Sequence, residues 1–118
     1  MNSEHLHHKQ YKKDVAYGNI INYFKETLDI FESYDFNASN REDNLEFLKT
    51  VVFNYTQGFN CLIEYYQDYD IQKTIINDVD STYETTTKLL YNKDNKELPI
   101  GWVKALFVET IEKLKENK

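Results

Sequence analysis

Three histidines near the start of the chain, His5, His7 and His8, are the residue types best suited to hold a metal ion. On a helix His5 and His8 share a face, and Glu4 adds an oxygen. A structural zinc site needs four ligands on a fixed scaffold, whereas this trio stands at a terminus, with no further histidine to complete it. No functional metal site is therefore expected from them. The lone cysteine, Cys61, lies in an apolar, amide-rich stretch far along the chain from those histidines. It is expected to be a small buried side chain, since a nucleophilic thiol wants a base and an electropositive setting. A third cluster is EYYQDYD, residues 64–70, with three tyrosines among three acids. Tyrosine is enriched at interface hot spots, so Glu64, Tyr65, Asp68, Tyr69 and Asp70 are the candidate partner-binding residues.

Paired carboxylates offer acid–base chemistry, and Glu26, Asp29 and Glu32 recur at helical spacing. They are read as the wet face of their own helix. The stretch Ile75-Ile76-Asn77-Asp78-Val79-Asp80-Ser81-Thr82 resembles the Asp-x-Asp-x-Thr nucleophile motif of haloacid-dehalogenase-type phosphatases. That resemblance covers eight residues and implies Asp78 as nucleophile and Asp80 as acid/base. In that family the motif closes the first strand of a doubly wound parallel sheet. Here helical periodicity precedes it and no glycine-rich partner strands follow, so the stretch is expected to be a solvated helix start. A glycine-rich phosphate loop, HExxH, GxSxG and CxxC are all missing from the sequence. No catalytic residue, cofactor or metal is expected.

Charge is the more informative signal. Residues 14 to 84 hold fourteen acids against four bases, a net of −10, and each flank is about +2, which restores the total of −6. Such a body repels phosphate backbones, and a single arginine, Arg41, is available for bidentate contacts. Direct nucleic-acid binding is not expected. An acidic body instead steers basic proteins toward itself.

The elements that must carry these residues are helical. Three glycines and one proline in 118 residues are too few for the turns of a β-sandwich or barrel. Apolar positions Tyr17, Ile20, Ile21, Phe24, Leu28 and Phe31 predict a first helix from about residue 8 to Tyr34. Leu45, Leu48, Val52, Tyr55, Phe59, Leu62, Tyr66 and Tyr69 alternate by three and four, predicting one rod from Leu45 through Tyr69, with Ser39 and Glu42 as a capping box ahead of it. A second row, Phe47, Val51, Gly58, Cys61 and Tyr65, makes that rod apolar on two faces, and Gly58 and Cys61 are small enough for another helix to come close. Glu64, Gln67 and Asp68 then point to water. The third segment, Ile71 to Tyr91, carries Ile75, Ile76, Val79, Tyr83, Leu89 and Leu90 on one face. Its run Thr85 to Thr87 disfavours helix, and Ser81 with Glu84 resembles a capping box, so a break near Asp80 is weighed. Pro99 opens the last helix, with Ile100, Val103, Leu106, Phe107, Ile111 and Leu114 inward.

The expected fold is a single-domain, all-α antiparallel bundle over residues 1–118, of four helices or of five if the third segment breaks, with residues 1–8 poorly ordered. The first fifteen residues lack an apolar signal-peptide core, and Thr50 to Ile63, the longest charge-free run, is too short and amide-rich to span a bilayer. A cytoplasmic location follows, consistent with the lone thiol. Thirteen lysines to one arginine, with abundant Asn, Tyr and Ile, point to an AT-rich genome such as that of a low-GC bacterium or its phage. The expected function is a non-enzymatic protein-binding module: an acidic inhibitor, immunity or adaptor protein for a basic protein partner, monomeric or a homodimer. A self-associating assembly protein and a small all-α hydrolase are the alternatives.

Overall fold

Among the described residues, apolar spacing by threes and fours is realised as four α-helices: α1 Ser3–Ser33, α2 Arg41–Tyr65, α3 Tyr69–Tyr91 and α4 Ile100–Glu116. The computed structural model describes the backbone of residues 3–65 and 69–116 and the side chains of residues 15–64 and 73–116. Among the described residues there is no strand. The predicted seams form the core: Tyr17, Ile20, Ile21, Phe24 and Phe31 of α1 are buried with Leu48, Val51, Val52, Tyr55 and Leu62 of α2. From α4, Val103, Leu106, Phe107, Ile111 and Leu114 join them, with Ile75, Val79 and Leu90 of α3. Glu26, Asp29 and Glu32 are exposed, as read from their spacing.

Specific pairs show which helices meet. Between α1 and α2, the Tyr34 ring just beyond α1 stacks on Phe47 at 3.8 Å, and Phe24 meets Tyr55 at 5.4 Å. Phe24 and Tyr23 also close over Gly58, where a glycine is required because an added Cβ would lie 2.9 Å from the Phe24 ring. Between α1 and α4, Tyr17 donates to the carbonyl of Leu114, Phe24 meets Phe107 at 6.1 Å and Lys104 lies 3.6 Å from Glu32. Between α3 and α4, Thr82 donates to Glu109 at 3.0 Å and Lys113 pairs with Asp78 at 3.1 Å. The contacts of α2 with α3 are shorter in extent, which leaves that edge of the bundle the more open.

Four expectations about boundaries change. The second helix is not a rod from Leu45 through Tyr69: it ends at Tyr65, and Tyr69 opens α3. The rings of Tyr55 and Tyr83 stack at 5.9 Å, whereas 28 residues along one straight helix would separate them by about 42 Å. At the other end of α2 the cap is Asn40 rather than Ser39: Asn40 Oδ1 accepts from the Asp43 N–H at 2.8 Å, and its carbonyl accepts from the Asn44 N–H. The third segment does not break near Asp80. Thr86 and Thr87 donate to the carbonyls of Thr82 and Tyr83, so their hydroxyls are satisfied inside a continuous helix. The first helix begins at Ser3, ahead of the expected start near residue 8.

Loop ends are fastened by side chains. The carboxamide of Asn44, buried, accepts from the Tyr34 hydroxyl at 3.0 Å and donates to the Phe36 carbonyl at 2.9 Å, which ties the α1–α2 loop to α2. Arg41 at the head of α2 donates to the carbonyls of Lys96 and Asn95, holding the α3–α4 loop. In α4 the Pro99 carbonyl accepts from the Val103 N–H, so this proline caps the helix just ahead of its first residue.

Candidate functional site

The acidic–aromatic cluster falls where α2 ends and α3 begins. Glu64 and Tyr65 are the last two residues of α2, and Tyr69 and Asp70 the first two of α3. Glu64 is exposed. Asp68 lies outside the described residues, as do the side chains of Tyr65, Tyr69 and Asp70. The side chains of Glu4, His5, His7 and His8 are also outside them; among the described residues no cluster of His, Cys, Asp or Glu could hold a metal ion.

Where side chains are described, the same two helices leave a groove. It holds about 210 Å³ and is lined by Tyr55, Phe59 and Asn60 of α2 with Ile76, Asp80 and Tyr83 of α3. Each residue follows from its position on its helix. Tyr55 belongs to the inward seam, Phe59 lies one turn on and half-buried, and Asn60 sits on the outer flank. From the other wall, Ile76 is 41 % exposed beside the fully buried Ile75. The expected apolar face of α3 is rotated accordingly: Thr86, fully buried, takes the inward position instead of Ile76. Asp80 is exposed at the rim.

The groove floor is rigid. Tyr55 stacks on Phe59 and on Tyr83, at 6.2 Å and 5.9 Å. Its hydroxyl lies 2.8 Å from Thr110 of α4, and burial pushes its phenol up to about 12, with that hydrogen bond opposing and Tyr83 and Glu109 adding to the rise. An apolar floor with one rim carboxylate can take an apolar group beside a cation.

The phosphatase-like motif lies in the middle of α3 and not at a helix start. Residues 78 and 80, two apart on a helix, point about 200° apart, so Asp78 reaches Lys113 of α4 while Asp80 faces the α2 side. Asp78 and Asp80 therefore do not converge on one point.

Cys61 is exposed, against expectation. It borders an open groove between α1 and α2, where Ala16 and Asn19 are too short to cover it. The Tyr23 phenol there is raised, first by burial and then by Cys61. A third groove, at the head of α2, has two of its three cations engaged, Arg41 on two loop carbonyls and Lys49 5.3 Å over the Tyr91 ring and 3.7 Å from Glu46; Lys93 is the third. Among the described residues no helix is long and apolar enough to cross a membrane.

Periodicity along one helix did not reveal the α2–α3 groove, since its walls are flank positions of two different helices. The exposed Ile76 at a nominally inward position was the available signal. Comparison with protein-family models, with curated proteins and with solved structures returned no match.

Proposed function

We propose that this chain is a non-enzymatic protein-binding module, a small acidic inhibitor, immunity or adaptor protein acting on a basic protein partner in the cytoplasm. The observation that carries the reading is the open edge between α2 and α3: an aromatic groove with Asp80 at its rim, on the two helices that bear most of the acidic body. Glu64, Tyr65, Asp68, Tyr69 and Asp70, which lie in the sequence where α2 gives way to α3, are taken with it as the partner-binding residues. The bundle is taken as antiparallel, which the pairs Tyr34–Phe47, Phe24–Tyr55 and Tyr23–Gly58 support, because they advance in opposite directions along α1 and α2. Each apolar row of α2 is met in part within the chain, with Gly58 under Phe24 and Tyr55 against Phe107, which favours a module over a helix shared between copies. The lysine-rich, AT-biased composition fits a low-GC bacterium or its phage as source.

Association kinetics with a basic partner provide the test. The double change Asp68→Asn with Asp70→Asn is expected to slow association and to flatten its salt dependence, with dissociation changed much less. Equal association rates at about 50 mM and about 300 mM salt in the unaltered protein would remove the reading, since screening between exposed charges changes strongly over that range. Light scattering addresses self-association: a stable higher oligomer would favour the assembly alternative.

A further inference from the structure

We infer that the groove between α2 and α3 seats a cationic amphipathic helix of the partner, which inserts an apolar side chain between Phe59 and Ile76 and sets a lysine or arginine against Asp80. The inference rests on the protein-binding reading above and says which part of a partner the site takes. Size is the first argument. The groove holds about 210 Å³, below the roughly 300 Å³ at which small-molecule sites begin, and so suits an anchoring side chain better than a cofactor. Its shape is the second. Two helices wall it over residues 55–60 and 76–83, about one to two turns of each, and α3 leans chiefly on α4 while α2 leans chiefly on α1, so the α2–α3 edge is open to a further helix. Chemistry is the third. Tyr55, Phe59, Ile76 and Val79 make an apolar floor, and the carboxylate of Asp80 at the rim makes no ion pair among the described residues. Between Phe53 and Glu84 the sequence carries six acids (Glu64, Asp68, Asp70, Asp78, Asp80 and Glu84) against one base, Lys73. Asp78 and Glu84 already pair with Lys113 and Lys88, so the excess rests on Asp80 together with Glu64, Asp68 and Asp70. At the opposite end of these helices Arg41 and Lys49 are engaged within the chain. An anionic or purely apolar helix would leave that remaining negative charge unmatched.

A displayed library of helical peptides about four turns long, panned on the full chain, tests this. Selected sequences should carry two apolar residues three or four apart, flanked by Lys or Arg. On isotopically labelled protein they should shift the amides of Thr56, Asn60, Ile76 and Asp80. Affinity should fall at least about tenfold in Ile76→Glu, a hot-spot loss, and about threefold in Asp80→Asn, a rim charge. Both positions are exposed, and an unchanged thermal midpoint verifies that the fold is kept. A library yielding no binder, peptides without cationic bias, or binding that survives Ile76→Glu overturns the inference. Cationic helices that map instead to Glu64 and the start of α3 overturn it too, while the basic-partner reading stands; no cationic preference on any surface removes both.

Discussion

The Tyr55 hydroxyl lies 2.8 Å from Thr110 Oγ1, and both residues are buried. Thr110 spends its own proton on the carbonyl of Leu106 at 2.8 Å, so Tyr55 is the donor of the pair. The direction makes the two deletions unequal. Tyr55→Phe removes a donor from an oxygen that still bonds elsewhere, and should cost about 1 kcal/mol. Thr110→Val strands the Tyr55 hydroxyl in the core, and should cost about 1–3 kcal/mol. The double variant should lose less than the sum, because the stranded group is gone. Urea unfolding of the three variants measures this.

Alkaline pH acts on the same residue. Burial raises the Tyr55 phenol from 10 to about 12, so the folded state holds its proton after the unfolded chain has released it. A raised folded value means stability intact below pH 10 and lost as pH climbs toward 12. The loss is about 3 kcal/mol for a two-unit shift, at 1.36 kcal/mol per unit. Lys113 is raised as well, first by its hydrogen bond to Asp78 and then by Glu116, and its sign is the same: support present below 10.5 and lost above. Unfolding free energy should therefore fall steeply above pH 10, and Tyr55→Phe should show a shallower slope, its deficit at neutral pH shrinking as pH rises. Parallel slopes in the two proteins would contradict the burial of that phenol.

The core was largely legible in the sequence, and the reasons are physical. Leu48, Val52, Tyr55 and Leu62 bury because a helix returns to the same face every three or four residues, and the same holds for Phe24 and Phe107. The end of α2 was not legible because the seam spacing carries on through Tyr66 and Tyr69 with no glycine or proline to stop it. The long rod is ruled out because Tyr69 already belongs to α3, whose Tyr83 returns onto Tyr55. Thr86 and Thr110 were missed because a hydroxyl looks polar by type, yet each is satisfied by a carbonyl four residues back and so enters the core at little cost. Glu64 was placed correctly in water, while the groove beside it depends on how α2 and α3 are rotated, which no single helix encodes.

Two glycines in helices separate close packing from helix propensity. An alanine Cβ at Gly58 would meet Phe24 Cζ at 2.9 Å and Tyr23 Cδ1 at 3.0 Å, while Gly18 has nothing within 4 Å of the corresponding point. The Phe24 ring is fully buried against Tyr55 and Phe107 and has little room to yield. Gly18→Ala should therefore stabilise by about 0.5–1 kcal/mol through helix propensity alone. Gly58→Ala gains the same propensity but overpacks, at about 1–3 kcal/mol, so it should be net destabilising. Thermal midpoints that move in opposite directions meet the expectation; a stabilised Gly58→Ala would mean that α1 and α2 sit farther apart than described.

The start of α2 offers a choice between neighbouring residues. Ser39 with Glu42 satisfies the capping-box pattern in sequence, but the oxygen that meets the first turn belongs to Asn40, 2.8 Å from the Asp43 N–H. The same turn carries the loop lock, since Asn44, one turn on from the cap, holds Tyr34 and Phe36 through its carboxamide. Asn40→Ala should cost about 1 kcal/mol and Asn40→Asp much less, whereas Ser39→Ala should stay within about 0.5 kcal/mol. Asn44→Ala, which leaves the half-buried Phe36 carbonyl without its donor, should cost about 1–3 kcal/mol. Chemical denaturation of the four variants separates cap from lock: a Ser39→Ala loss larger than that of Asn40→Ala would place the cap back at residue 39.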